Sequence, residues 1–153
     1  MIINSIIIME NSEKKVKQVI VVRKDLKMPK GKIGAQVAHA SLGSLLKLFN
    51  KKHFPDDRFK YELEFNENSY LDLWLNGIFT KICLSVESED EMIELYNTIN
   101  KYNEINKEKI PVCLIEDNGL TCFNGIKTKT CLGIGPFWSD EIDNFTKNLK
   151  LLY

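Results

Sequence analysis

The run KMPKGKIGAQVAHASLG, residues 27–43, sets three lysines (Lys27, Lys30, Lys32), one glutamine and one histidine into a segment otherwise built of apolar and small residues. Wound at about 100° per residue, Lys32, Gln36, His39, Gly43 and Lys47 fall on one narrow stripe of a helix. Ile33, Ala35, Val37, Ala38, Ala40, Leu42, Leu45, Leu46, Leu48 and Phe49 occupy the rest of the wheel. This pattern predicts a helix buried over most of its circumference, with its single polar line open to a cleft. A glycine in mid-helix costs about 1 kcal/mol relative to alanine, so Gly43 predicts close approach by another group. A lysine in the first turn opposes the helix dipole by about 0.3–1 kcal/mol, and a local rule broken without local compensation marks a functional site. Free backbone N–H groups, the permissive Gly31 and the two lysines beside it make a receptor for a phosphate or carboxylate. The glycine spacing and the missing Ser/Thr after the lysine exclude a Walker A loop. These features indicate anion binding and specify no reaction.

A second cluster lies at LIEDNGLTC, where Glu116 and Asp117 end an apolar run and Thr121 follows the Asn118-Gly119 turn. Strand ends are where ligands sit in α/β folds; a turn-capping aspartate is the competing reading. Thr128 and Thr130, two apart in TKTC, share one face of the next strand. There is no G-x-S-x-G elbow, no Ser-His-Asp set and no metal-ligand spacing. Hydrolysis at these residues would use activated water instead of a covalent intermediate.

The elements that must carry these residues alternate along the chain. Residues 17–25 read as a buried strand, 32–49 as the helix above, and 69–77 as a short helix with Gly77 as its cap. Residues 78–87 are a second strand, and 88–104 a helix opened by Ser88 and Glu91 in capping-box spacing. Residues 110–117 and 127–136 are two more strands, joined too tightly for a crossover and so expected to pair antiparallel. A helix that starts at Ser139 or Asp140, within WSDEIDNFTKNLKLL, closes the chain. The expectation is one α/β domain over 16–153, with a four-stranded mixed β-sheet flanked by α-helices on both faces. Residues 1–15 read as a flexible N-terminal extension and 50–68 as a surface insertion.

Composition narrows the class. At 153 residues, 44% hydrophobic and 27% charged, the chain is an ordinary globular domain in make-up. Net charge is zero, yet residues 14–32 hold eight basic residues against one acid, Asp25, which gives a local anion-binding surface. Cys83, Cys113, Cys122 and Cys131 are widely spaced and read as free thiols of a reducing compartment. No stretch reaches the length of a membrane span, and MIINSIIIME has no basic start or small-residue cleavage site. The expected location is cytoplasmic, with no membrane partner.

Three blocks, VIVVRKDLKMPKGKIGAQVAHASLG, LIEDNGLT and TCLGIGPFWSDEIDNFTKNLKLL, together resemble the second family of peptidyl-tRNA hydrolases, the archaeal and eukaryotic type. The likeness runs in order from about Val16 to the C-terminus. It implies an enzyme that hydrolyses the ester between a peptide and the terminal ribose of tRNA, recycling tRNA from stalled translation without metal or cofactor. It implies catalytic roles for Lys32, Gln36, Asp117, Thr121 and Thr130, and a structural or supporting one for His39. Arg23, Lys24, Lys27, Lys30 and Lys47 would meet tRNA phosphates, contacts that carry little base information and depend steeply on salt. The chain departs from the family pattern in a longer 50–68 segment, a longer approach to IPVCLIED, and a loop CFNGIKTK that leaves Thr128 as an alternative to Thr130. A non-catalytic RNA- or protein-binding module of the same fold is the competing class, and the state is monomer or homodimer.

The resemblance and the residues combine into a mechanistic expectation. Lys32 sits near Asp117, Thr121 or Thr130 positions the attacking water, and Lys32 or helix N–H groups receive the oxyanion. A neighbouring lysine makes an aspartate a weaker base, so Asp117 is expected to orient Lys32 or the water more than to take a proton.

Overall fold

The computed structural model describes residues 13–153. Its strands are β1 (Val16–Arg23), β2 (Asn50–His53), β3 (Phe59–Glu62), β4 (Lys81–Val86), β5 (Val112–Asp117), β6 (Thr128–Trp138) and β7 (Lys150–Leu151). Its helices are α1 (Lys30–Leu46), α2 (Tyr70–Leu75), α3 (Glu89–Ile105) and α4 (Ser139–Thr146). The main sheet runs β5-β6-β1-β4-β7, with β1 and β4 parallel and every other pair antiparallel. β1, β4 and β5 therefore point the same way, and their C-terminal ends form one edge of the sheet.

The mixed sheet and the antiparallel β5–β6 pair agree with the sequence expectation, but the strand count does not. The sheet has five strands because the last helix stops at Thr146, and Lys150 and Leu151 turn back to pair with Ser85 and Leu84. Residues 50–62 form a separate two-stranded hairpin. The short second helix ends at Asn76 without a left-handed glycine cap; Gly77 is needed there because a Cβ would lie 2.3 Å from the Leu73 carbonyl oxygen. Of the extension expected over 1–15, residues 1–12 lie outside the described residues. Lys15 accepts a hydrogen bond from Ser139 N–H at 2.8 Å, and the Lys14 ammonium sits 5.2 Å from the Trp138 ring centre.

The β-branched alternation of β1 explains why both faces of the sheet are covered. Val19 and Val21 point to one face, against Met92 and Ile99 of α3, Ile142 of α4, and Leu132, Ile134 and Phe137 of β6. Ile20 and Val22 point to the other, against Met28, Ala40, Ile33, Val37 and Cys131 under α1. Ser88 accepts from Glu91 N–H as the α3 cap, while the Glu91 carboxylate reaches back to Glu87 N–H instead of closing the expected reciprocal box.

The orientation of α1 corrects the helical wheel. Gln36, Ala40 and Ser44 face the sheet, whereas Ala35, Ala38, Leu42 and Leu46 are exposed, Leu42 by 55%. The reason is how closely the helix backbone approaches. A Cβ on Gly133 of β6 would lie 2.2 Å from the Ala40 carbonyl oxygen, and one on Gly43 would lie 2.8 Å from Cys113 Sγ. Only small or hydrogen-bonding side chains fit beneath such a helix. Buried Gln18 of β1 holds it there, donating to Ser44 Oγ, Ser41 O and Gly135 O while accepting from Ser41 Oγ at 2.6 Å. The group that approaches Gly43 is thus β5 itself.

Replacing Gly133 by alanine places a methyl group against the α1 backbone and is expected to cost at least about 1–3 kcal/mol. Urea unfolding measures it; an unchanged midpoint would contradict the close-packed helix.

Candidate active site

The C-terminal ends of the parallel-running strands meet the N-terminus of α1. The helix starts after Pro29 with no side-chain cap and no acid in its first turn, and its first hydrogen bond runs from Ile33 N–H to Pro29 O. The N–H groups of Lys30, Gly31 and Lys32 consequently have no partner within the helix. A Cβ at Gly31 would meet nothing within 4 Å, so space is open beside them.

Lys32 is drawn across to β5. Its ammonium lies 2.7 Å from Asp117 Oδ1 and 3.2 Å from Thr121 Oγ1, and 5.8 Å from the centre of the Phe123 ring. Both charged side chains are largely covered, Lys32 12% and Asp117 15% exposed. Gln36, one turn on, donates its amide to the same Asp117 oxygen at 3.1 Å. Its carbonyl oxygen accepts from the buried Thr130 hydroxyl at 2.5 Å, and Asp117 Oδ2 accepts from Gly119 N–H at 2.9 Å. The chain Thr130–Gln36–Asp117–Lys32–Thr121 thereby crosses from β6 through α1 to the loop after β5. The Lys32 ammonium, with the Gly119 N–H and the Gln36 amide, holds the Asp117 carboxyl below the usual carboxylate range against the opposing effect of burial.

The five residues assigned to catalysis are therefore brought together, though in unequal positions. Thr121 is exposed at the cleft, while Thr130 is fully buried behind Gln36 and cannot itself touch a water in the cleft. Thr128 turns away, donating to Ile126 O at 2.9 Å, so Thr130 is the threonine that reaches the cluster. His39, expected in a structural or supporting role, lies outside this hydrogen-bonded network. It stands exposed on the wall of the cleft and forms no hydrogen bond to a protein group among the described residues. The cleft measures about 310 Å³ and is bounded by Lys32, Gln36, His39, Asp117, Leu120 and Thr121.

The basic residues separate into two kinds. Lys24, Lys27, Lys30 and Lys47 are exposed and form no ion pair among the described residues. Arg23 departs from the expectation of a phosphate ligand, because its guanidinium is held by Asp25 at 2.7 Å, Glu89 at 2.8 Å and the Lys129 carbonyl at 3.1 Å. With 10% of its side chain exposed, it ties the end of β1 to α3 and β6.

Sequence reasoning missed the loop that presents Thr121. Gly125 N–H donates to Gly119 O and Ile126 N–H to Phe123 O, both at 2.9 Å, folding 119–126 back on itself. Gly119 has φ of 75°, and a Cβ there would lie 2.5 Å from Ile126 O, so glycine is required. Phe123 is held at φ of 67°, a conformation costly for a bulky residue, which turns its ring toward Lys32. The glycines signal a turn, but nothing local to the sequence signals the inward phenylalanine.

A carboxyl-carbon NMR titration is expected to find Asp117 titrating below its ordinary range, and moving up when Lys32→Met removes the ammonium. Because the folded-state value is lowered, the stability that Asp117 contributes is present above about pH 4 and lost as pH falls through the lowered value. The difference in stability between the native chain and Asp117→Asn should shrink over the same interval. An ordinary titration in both proteins would contradict the pairing.

The sequence profile described as Peptidyl-tRNA hydrolase PTH2 matches residues 16–152. A peptidyl-tRNA hydrolase of Sulfolobus acidocaldarius is 39% identical over 136 residues, covering 89% of this chain and 99% of its own length. One from Methanothermobacter thermautotrophicus is 40% identical with the same coverages, and one from Methanopyrus kandleri 38% identical over 137 residues, 89% of this chain and 97% of its own.

Proposed function

The chain belongs to the peptidyl-tRNA hydrolase PTH2 family, and we propose that the cleft between α1 and the β5 end hydrolyses the ester joining a peptide to the 3′-terminal ribose of tRNA. The observation that carries this reading is the Lys32–Asp117–Gln36–Thr130 chain, which opens onto the cleft beside the uncapped first turn of α1. Lys24 and Lys27, in the segment between β1 and α1, and Lys30, in the first turn of α1, are exposed and would meet the phosphates next to the ester. Such contacts accept many tRNAs, because phosphates carry no base identity. The setting of the reaction is translation, and the proposed location is the cytoplasm; among the described residues no helix is long and apolar enough to cross a membrane.

Lys32 and the free N–H groups of the first turn of α1 receive the negative charge that develops on the ester carbonyl oxygen. Thr121, exposed beside the Lys32 ammonium, positions the attacking water. Asp117 holds Lys32 and, through Gly119 and Gln36, keeps one orientation itself. Its lowered pKa makes it a weak base, so its principal work is positioning. Thr130 acts through Gln36, fixing which way the amide points. Water adds its oxygen to the acyl carbon and the bond to the ribose oxygen breaks. One water proton passes to that ribose oxygen, and the acid formed releases its own to solvent. An aminoacyl ester is intrinsically reactive, so positioning and charge stabilisation supply much of the rate.

Release of a labelled N-acylated amino acid from tRNA by the purified protein tests this function. Lys32→Ala and Asp117→Asn are each expected to lower kcat/KM at least about 100-fold. Full activity in both variants would refute the site, and chelator-sensitive turnover would refute water activation by these side chains alone. If tRNA is bound and no ester is cleaved, the chain is a binding module.

Binding of tRNA is expected to fall linearly on a log–log plot as salt rises, with the slope smaller by about 0.7–0.9 for each of Lys24, Lys27 and Lys30 replaced by alanine. A slope unaffected by all three replacements would remove them from the interface.

A further inference from the structure

The β2–β3 hairpin carries a surface that the hydrolytic chemistry leaves unused. Its register pairs Lys51 with Tyr61 and His53 with Phe59 on one face, and Asn50 with Glu62 and Lys52 with Lys60 on the other. The two faces differ in chemistry. On the second, Lys52 and Lys60 both engage Glu62, Lys60 at 2.7 Å, and the carboxyl is pulled down to about 2 by the two ammonium groups. On that face both ammonium groups are held by the one carboxylate.

The first face is aromatic and cationic. Phe59 and Tyr61 are 55% and 52% exposed. The His53 ring stacks on Phe59 with centroids 4.6 Å apart and planes 19° from parallel. The Lys51 ammonium lies 4.2 Å from the Phe59 centroid and 5.7 Å from that of Tyr61, and it forms no ion pair among the described residues. At the turn, Arg58 sits over Phe54 at 5.6 Å. An isolated two-stranded ribbon is marginal in water, and with more than half of each ring exposed, packing accounts for part of Tyr61, against Phe49, and not for Phe59. Rings interleaved with cations are what a nucleic acid needs, since any base can stack on the π-face while the cations meet phosphate.

The position fits the same partner. Phe49, three residues beyond α1, meets Tyr61 edge-on at 6.4 Å and ties the hairpin to the C-terminal end of that helix. Near the other end of the helix stands Lys32, about 21 Å along the axis from Leu46. An RNA whose 3′ end lies in the cleft has its body within reach of the hairpin.

We propose that the Lys51, His53, Phe59 and Tyr61 face of the hairpin is a second RNA contact, stacking on unpaired or terminal bases of the tRNA substrate. The identity of that RNA rests on the proposed function. Affinity for deacylated tRNA, which requires no hydrolysis, tests the contact. Phe59→Ser/Tyr61→Ser is expected to raise Kd at least about fivefold, and Phe59→Leu/Tyr61→Leu to raise it as much, because leucine restores apolar area and no π-face. Lys51→Ala, with both rings intact, gives a smaller rise and keeps the test available should the serine pair fail to fold. An unchanged Kd in the serine pair would overturn the proposal, and a change of oligomeric mass in that variant would reassign the face to a second copy of this chain. A leucine pair that binds like the native chain would overturn base stacking. A native chain that binds tRNA and cleaves no ester, with binding lost in the serine pair, would defeat the hydrolase reading and leave this contact standing.

Discussion

The distance between α1 and the sheet is the constraint on which the rest depends. Gly133 has no Cβ, so the Ala40 carbonyl of α1 can occupy the space where one would be. A helix held that close reaches the sheet with its own short polar groups. Gln36 thus meets Thr130 at 2.5 Å, and Lys32 crosses to Asp117 at 2.7 Å. A helix pushed out by one methyl group would still be a helix on a sheet, but its polar side chains would no longer span from β6 to the loop after β5. The buried Gln18 clamp to Ser41 and Ser44 fixes the same spacing from the other half of the helix.

Electrostatics then explains residues that local propensity rejects. Lys32 opposes the dipole of its own helix, and that cost is offset by a carboxylate supplied from β5 at hydrogen-bond distance. Asp117 in turn spreads its charge over three donors, the Lys32 ammonium, the Gln36 amide and the Gly119 N–H. The pair is accordingly rigid and only partly open to water, which keeps its field strong where an ester would dock. Remote from it, the hairpin holds the lysines of one face in ion pairs with Glu62 and leaves Lys51 of the other over the Phe59 ring, without an ion pair among the described residues.

Much of this was legible in the residues. Gln36, Lys32 and Gly43 stood out because they break the apolar pattern of their helix, and Asp117 because a strand end with a turn behind it is a place for ligands. The resemblance of three blocks named the family and tied these positions together. What period alone could not say is which side of α1 faces inward. An apolar wheel usually buries its leucines, but here the sheet beneath offers glycine and threonine, so Gln36, Ala40 and Ser44 go under while Leu42 faces water. The fifth strand was hidden because two residues pairing at a sheet edge leave no periodic signal. Arg23 looked like a phosphate ligand only until its partners, Glu89 and the Lys129 carbonyl, arrived from distant parts of the chain.

The proposed chemistry requires Lys32 and Asp117 to act as one unit in the reaction. A double-mutant cycle on kcat/KM for N-acylaminoacyl-tRNA measures this directly, with Lys32→Met, Asp117→Asn and the two combined. The combined variant is expected to lose about as much as the worse single one, because removing either partner already dismantles the pair. Losses that multiply would show the two residues working independently and would contradict this requirement.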